Sequence, residues 1–179
     1  MAVREVLRYP HPALKTVADA AAVAAHAEVA AETARAARDL LDTMRSFGHC
    51  VGIAAPQLGD LVRIVAVDVT DHPKATTAHG LLLLANPRVT AADGAEVARE
   101  GCLSIPHLTA NVRRATDIEV EATALEPTGA GFDAHPTRID AGGFEARCLL
   151  HEIDHLDGIL FLDRVDSLTR DVFRRKQYR

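Results

Sequence analysis

The chain has 179 residues, 48% of them hydrophobic, and a formal net charge of −5, which suits one domain over 1–179 with a substantial core and speaks against nonspecific nucleic-acid binding. No apolar run is long enough to cross a bilayer and no basic, then apolar, then small-residue leader is present, so a cytoplasmic protein with no membrane contact is expected. Three cysteines, an odd number, point to reduced thiols rather than a disulfide framework.

Taken in order, Tyr9-Pro10-His11-Pro12 predicts an extended, turn-rich beginning, because each proline biases its predecessor away from helix. Apolar residues at Ala30, Ala34, Ala37, Leu41 and Met44, in alternating steps of four and three, predict an amphipathic helix over about 28–47, closed by Gly48. The alanine-rich stretch 18–31 has high helix propensity too, so that helix could begin earlier. The small residues of 50–59 suit a helix-to-strand connection, or a place where a peptide backbone approaches closely with Gln57 as an amide donor.

Strands are predicted over 61–69 and 81–84, the second ended by Asn86-Pro87, then over 96–103 and 112–125. The last alternates through Ile118, Val120, Ala122 and Ala124, with Asp117, Glu119, Glu121 and Thr123 facing the other way. A turn at 127–131 and a short strand near 137–140 follow. Strands grouped in the middle, with a helix before and a helix after, predict an α+β domain.

The second helix carries the chemistry. Its segment Cys148-Leu149-Leu150-His151-Glu152-Ile153-Asp154-His155 places two histidines four residues apart. On a helix both imidazoles share one face, about 6 Å apart along the axis, and can hold one metal ion. Glu152 then lies beside that ion without ligating it, where a general base belongs. Gly142-Gly143 can break the chain before this helix, Phe144, Cys148, Leu149 and Ile153 form an apolar stripe, and Gly158 suits its C-terminal end. The competing reading is a surface helix with two solvated histidines. So apolar a helix is expected inside, where unpartnered histidines are costly and a metal removes the cost.

A catalytic site needs a third protein ligand, and the cysteines are the first place to look. Cys148 shares the face of His151 and His155 but lies about 10 Å along the axis from His155, too far for its short side chain. Cys102, in Glu100-Gly101-Cys102-Leu103-Ser104, is the better candidate. With Val51-Gly52-Ile53-Ala54-Ala55-Pro56-Gln57 and the His-Glu-x-x-His helix, this segment makes a three-part signature that closely resembles peptide deformylase. Arg4-Glu5-Val6-Leu7-Arg8-Tyr9-Pro10 and Gly158-Ile159-Leu160-Phe161-Leu162-Asp163-Arg164 extend the resemblance over nearly the whole chain.

The resemblance implies antiparallel β-sheets packed around the metal-bearing C-terminal helix, plus an N-terminal helix. It implies a hydrolase that removes the formyl group from the N-terminal formylmethionine of new polypeptides and releases formate. Cys102, His151 and His155 would hold the metal, and Glu152 would activate metal-bound water. Gln57 and the backbone N–H of Leu103 would steady the developing oxyanion, and Val51, Gly52 and Cys148 would contact the substrate. The implied ion is Fe2+, one per chain, with Ni2+, Co2+ or Zn2+ able to substitute; the spacing of the ligands does not choose among them. The family usually has glycine where Cys50 stands and often glutamine where Leu150 stands, which bears on substrate fit. The implied partner is an N-formylmethionyl peptide or nascent chain, with no specific nucleic acid. The basic tail Arg174-Arg175-Lys176-Gln177-Tyr178-Arg179 reads as a solvated end or a weak ribosome contact.

Two rivals stand beside this reading. A zinc endopeptidase shares His-Glu-x-x-His, but typically takes a later histidine or glutamate as third ligand. A deformylase-like protein that binds metal or peptide without catalysis is the other. The remaining histidines, His11, His26, His49, His72, His79, His107 and His135, have no helical pair and read as surface or capping residues.

Overall fold

A computed structural model describes residues 3–23, 29–129 and 131–175. Its organising element is a five-stranded sheet with a helix on each face. The first helix, α1 (Ala31–Ser46), is followed by β1 (Gly52–Ala54), β2 (Ile64–Val67), β3 (Leu82–Asp93), β4 (Glu96–Cys102), β5 (Ile105–Arg114), β6 (Asp117–Pro127) and β7 (Phe132–Gly142). Then come α2 (Gly143–Leu156), the short α3 (Leu168–Asp171) and β8 (Val172–Arg174). The larger sheet runs β1-β2-β3-β6-β7 and the smaller β4-β5-β8, with every paired neighbour antiparallel.

Side-chain alternation along β2 explains the layering. Ile64 and Ala66 face one way and pack with Leu40, Leu41 and Met44 of α1, while Val65 and Val67 face the other way and pack with Leu149, Ile153 and Leu156 of α2. A strand covered on both faces has no polar side, and all four residues of β2 are buried. A third cluster, with Leu14, Ile105, Val112 and Phe161, joins the smaller sheet to the turns around it.

α2 runs between these layers, and eleven of its fourteen residues are buried. At about 100° per residue, Ala146, Leu149, Ile153 and Leu156 form one stripe against the larger sheet, leaving His151 and His155 on the other side and Cys148 at the border between cluster and cavity. Gly158 ends the helix at φ 67°. Its N–H donates to His155 O (3.3 Å) and that of Ile159 to Asp154 O (2.9 Å), the pair of bonds of a Schellman cap. A Cβ at Gly158 would lie 2.8 Å from the backbone of Lys15, so only glycine fits there.

Several expectations need correction. Residues 18–23 are not helical despite their alanines, because tertiary bonds take their backbone groups. Ala18 N–H donates to Leu156 O (2.8 Å), Asp19 bridges Val62, and Ala21 exchanges two hydrogen bonds with the Asn86 side chain. The part of the alanine stretch at 24–28 lies outside the described residues. Asn86-Pro87 does not end β3: Asn86 takes φ 52°, and a register shift between Ala85 and Arg88 carries the proline through the strand. The strand expected over 112–125 is two, β5 and β6, divided at Ala115-Thr116 as the chain passes from the smaller sheet to the larger. The strand expected near 137–140 is the eleven-residue β7, paired with β6 along its length.

Candidate active site

A strand end and a helix assemble the centre. β4 finishes at Cys102 with a register slip, and the chain turns through Leu103 and Ser104 into β5. That turn aims the Ser104 N–H at Cys102 Sγ (3.4 Å). α2 supplies His151 and His155, with ring centroids 5.1 Å apart and planes nearly perpendicular. Cys102 Sγ is 3.3 Å from His155 Nε2, and one donor atom from each of the three residues lies within 4.8 Å of the others. In a tetrahedral site with metal–nitrogen and metal–sulfur lengths near 2.0 and 2.3 Å, donor atoms sit roughly 3.3–3.7 Å apart. The set therefore suits a first-row divalent ion, which would draw the wider separations in toward these lengths.

Electrostatics prepare the ligands. Burial pushes the Cys102 thiol up, but the charge of His155 and hydrogen bonds from His151 and His155 outweigh it and hold the thiol well below its ordinary value. Burial pulls His151 down, and its bonds to Cys102 and Glu100 more than reverse that. His151 Nδ1 meets Glu100 Oε2 at 2.9 Å, which fixes the ring and leaves Nε2 for the centre. Glu100 is gripped by Arg114 through two bonds (2.9 and 3.1 Å) and by Arg147 Nη1 (2.8 Å). Arg114 also donates to Asp154, which Arg164 holds through two bonds of 2.6 and 3.1 Å. Burial raises the Glu100 carboxyl, yet His151 and Arg114 bring it down to about 2.

Glu152 is the opposite case. It is 5% exposed, and its Oε2 has no hydrogen-bond partner among the described residues. Burial drives its pKa up to about 7, against the charges of His151 and His155. A buried carboxylate oxygen left open is costly, and acceptance of a proton is a use that requires it.

Gln57 follows from the tight 3-10 turn Ala55–Leu58. Its Oε1 accepts from Ala54 N–H (2.9 Å), and its Nε2 donates to Ser104 Oγ (3.1 Å) and Cys102 Sγ (3.4 Å). The amide is thus fixed at the sulfur. A cavity of about 490 Å³ opens over this centre, with Val51, Gly52, Leu103, Cys148 and Glu152 in its wall.

The family model described as Polypeptide deformylase matches residues 3–171. The chain belongs to that family. It is 34% identical over 176 residues to the peptide deformylase of Thermodesulfovibrio yellowstonii, covering 98% of this chain and 97% of that protein. Among solved structures it is similar to a peptide deformylase from Synechococcus elongatus in complex with actinonin, at 31% identity and TM-score 0.74, over 93% of this chain and 80% of that one. The Met-Ala-Ser-bound class I type b peptide deformylase from Acinetobacter baumannii matches at 28% identity and TM-score 0.77, over 92% and 99%.

In this deformylase chain all nine residues singled out from sequence lie at the centre or in the cavity wall. Sequence reasoning missed the buried charges behind them: Glu100, Arg114, Arg147 and Asp154. A carboxylate two residues before Cys102 on a strand shares its face, and that signal could have found Glu100. Two histidines keep the surface or capping place expected of them, His72 accepting from Lys74 N–H (3.2 Å) and His79 exposed, and do more besides. His72 stacks on Phe144 at 4.0 Å in the cavity wall, and His79 satisfies the buried Glu145 through its backbone N–H and its Nδ1 (2.9 and 2.7 Å). His11 does cap, accepting from Ala13 N–H (3.2 Å), and His26 lies outside the described residues.

Gly52 has a structural reason to be glycine. A Cβ there would lie 2.6 Å from Glu152 Oε1. Gly52→Ala should force the carboxylate aside and lower kcat by about tenfold or more, since small misplacements of a reacting group are expensive. Melting temperature should move little, because only the end of a flexible side chain must shift. Wild-type kcat in that variant would show that Gly52 does not hold Glu152 in place.

Proposed function

We propose that this chain, acting as one catalytic domain over 1–179, removes the formyl group from the N-terminal formylmethionine of newly made polypeptides. The observation that carries the reading is the convergence of Cys102, His151 and His155 beside the buried, open carboxylate of Glu152 in a deformylase-family chain. Those three residues would hold a divalent ion, and the chemistry it would supply is Lewis acidity, toward water near neutral pH and toward the formyl carbonyl. Glu152 accepts the proton of the attacking water and passes it to the leaving amine, so formate and a free N-terminus result. The developing oxyanion receives hydrogen bonds from the Gln57 amide and the Leu103 backbone N–H. For Gln57 this means giving up the longer of its two Nε2 contacts, the 3.4 Å one to sulfur.

β1 and β4 are terminal strands of their sheets, and both border the cavity through Gly52 and Gly101. An extended peptide can pair along such an edge while its methionine side chain enters the pocket beside Val51, Gly52 and Cys148. The peptide Met-Ala-Ser in the Acinetobacter baumannii relative supports an occupant of this kind. Cys50, which also lines the cavity, adds bulk at its mouth. Release of formate from formyl-Met-Ala-Ser, with no cleavage of unformylated Met-Ala-Ser, is the expected result. Cleavage of internal peptide bonds instead would make the chain an endopeptidase.

Iron(II) is proposed as the resident ion, with nickel, cobalt or zinc able to replace it. A thiolate on iron is open to oxidation, so air or peroxide should inactivate the iron-loaded enzyme faster than the nickel-loaded one. Equal rates of loss would count against iron. A cytoplasmic site of action is proposed with it; no helix among the described residues is long and apolar enough to cross a membrane. A weak ribosome contact is proposed for the basic tail 174–179, of which Arg174 ends β8 and 176–179 lie outside the described residues.

A further inference from the structure

The chain is acidic overall, with a net charge of −5, yet three exposed cations, Lys74, Arg99 and Arg175, stand at the cavity over the active centre. The acidic groups lining that cavity, Glu100 and Glu152, are both buried. Among the described residues no carboxylate pairs with any of the three cations, whereas eight of the fourteen other arginines are in ion pairs. Three cations without an ion-pair partner thus stand together at the mouth of one cleft in a negatively charged protein.

Two of the three cations are held in place. Arg99, on β4, donates from Nε to Asn111 Oδ1 (3.1 Å) and from Nη1 to Thr109 Oγ1 (3.2 Å), and its guanidinium stacks 3.6 Å from the centre of the Phe173 ring. Phe173 belongs to β8, which pairs with β5 at the far side of the smaller sheet, and Arg175 follows with its N–H on His107 O (2.9 Å). The guanidinium of Arg175 lies across Gly101, where a Cβ would collide with its Nη2. β8 therefore serves to bring an aromatic support and a second guanidinium to the edge strand that borders the cavity. A guanidinium fixed by its neighbours loses less freedom on binding a carboxylate than a free one.

We propose that Lys74, Arg99 and Arg175 make this enzyme select formylated chains that carry an aspartate or glutamate in the first few residues after formylmethionine. The proposal rests on the deformylase reading and deepens it. Methionine would supply the apolar anchor in the pocket, and the carboxylate would meet the cationic mouth as the peptide leaves along the β4 edge. Attraction by exposed charges acts mainly on capture of the substrate and weakens as salt shortens the screening length.

The test compares kcat/KM for C-terminally amidated formyl-Met-Asp-Ala and formyl-Met-Ala-Asp with their asparagine counterparts. At low ionic strength at least one acidic peptide should exceed its asparagine partner by about tenfold, a ratio that falls severalfold in roughly 0.5 M salt. The ratio should collapse toward one in the double variant Arg99→Gln/Arg175→Gln and decrease in Lys74→Gln. A wild-type ratio at or below one for both pairs, with ready turnover of the asparagine peptides, overturns the proposal and leaves the deformylase intact. A ratio unchanged in the double variant overturns it equally. Failure to turn over any formyl peptide overturns the deformylase reading, and this proposal with it.

Discussion

Replacing Glu152 by glutamine is expected to cut kcat for formate release by about 10³-fold or more while leaving bound metal at the wild-type level. Glutamine keeps the shape of the side chain, so the contact with Gly52 and the packing of α2 are preserved. What disappears is the one group at the centre that can take a proton from water and return it to an amine, a role worth about 10²–10⁴-fold in rate. The substitution also removes a buried carboxylate whose Oε2 has no partner. Loss of such a group relieves a desolvation cost, so melting temperature should hold or rise. An inactive, fully folded, metal-loaded protein separates a chemical role from a structural one. Turnover within about tenfold of wild type would remove Glu152 as the base.

The second large effect is expected from Glu100→Ala, and its signature is different. Glu100 takes the Nδ1 of His151 and three bonds from Arg114 and Arg147, all four residues being buried. Its removal takes the shared carboxylate from two buried guanidinium groups, leaving Arg114 with Asp154 and Arg147 with the backbone oxygens of Val112 and Glu96, and breaking a buried ion pair from one side costs about 3–5 kcal/mol. For a chain of this size that is a fall in melting temperature of roughly 10 °C. The freed imidazole of His151 also loses its orientation, so metal affinity should drop by about 10–100-fold. Excess metal should therefore restore part of the activity in Glu100→Ala and none in Glu152→Gln. A Glu100→Ala protein with unchanged melting temperature and metal affinity would show that the charge cluster behind His151 is idle.

Local features were legible in the sequence, and long-range ones were not. His151, Glu152 and His155 share a helix, so their relation follows from helical geometry alone. The stripe of Ala146, Leu149, Ile153 and Leu156 and the glycine at 158 mark that helix's burial and its end. Cys102 stands 53 residues from His155, and no periodicity links them; the resemblance carried by neighbouring residues made that link. The passage from β5 to β6 was invisible because Val112, Ile118 and Val120 keep the same parity across the break, and Arg114, at a buried position of that series, reads as an exposed residue. Burial of Arg114 depends on partners from β4 and α2, Glu100 and Asp154, which only the folded chain brings together. Propensity misled at 18–23 for the same reason, since hydrogen bonds donated to Leu61 O, Asn86 Oδ1 and Leu156 O overrode it.

The most direct measurement is metal content with formate release for anaerobically purified protein and its Cys102→Ala variant. About one ion per chain is expected in the wild type, with turnover of formyl-Met-Ala-Ser in proportion to it. Cys102→Ala should lose most of the ion and the activity together while remaining folded. A Cys102→Ala protein that keeps a full ion and the wild-type rate, or a metal-free wild type that still releases formate, would contradict the site built from Cys102, His151 and His155.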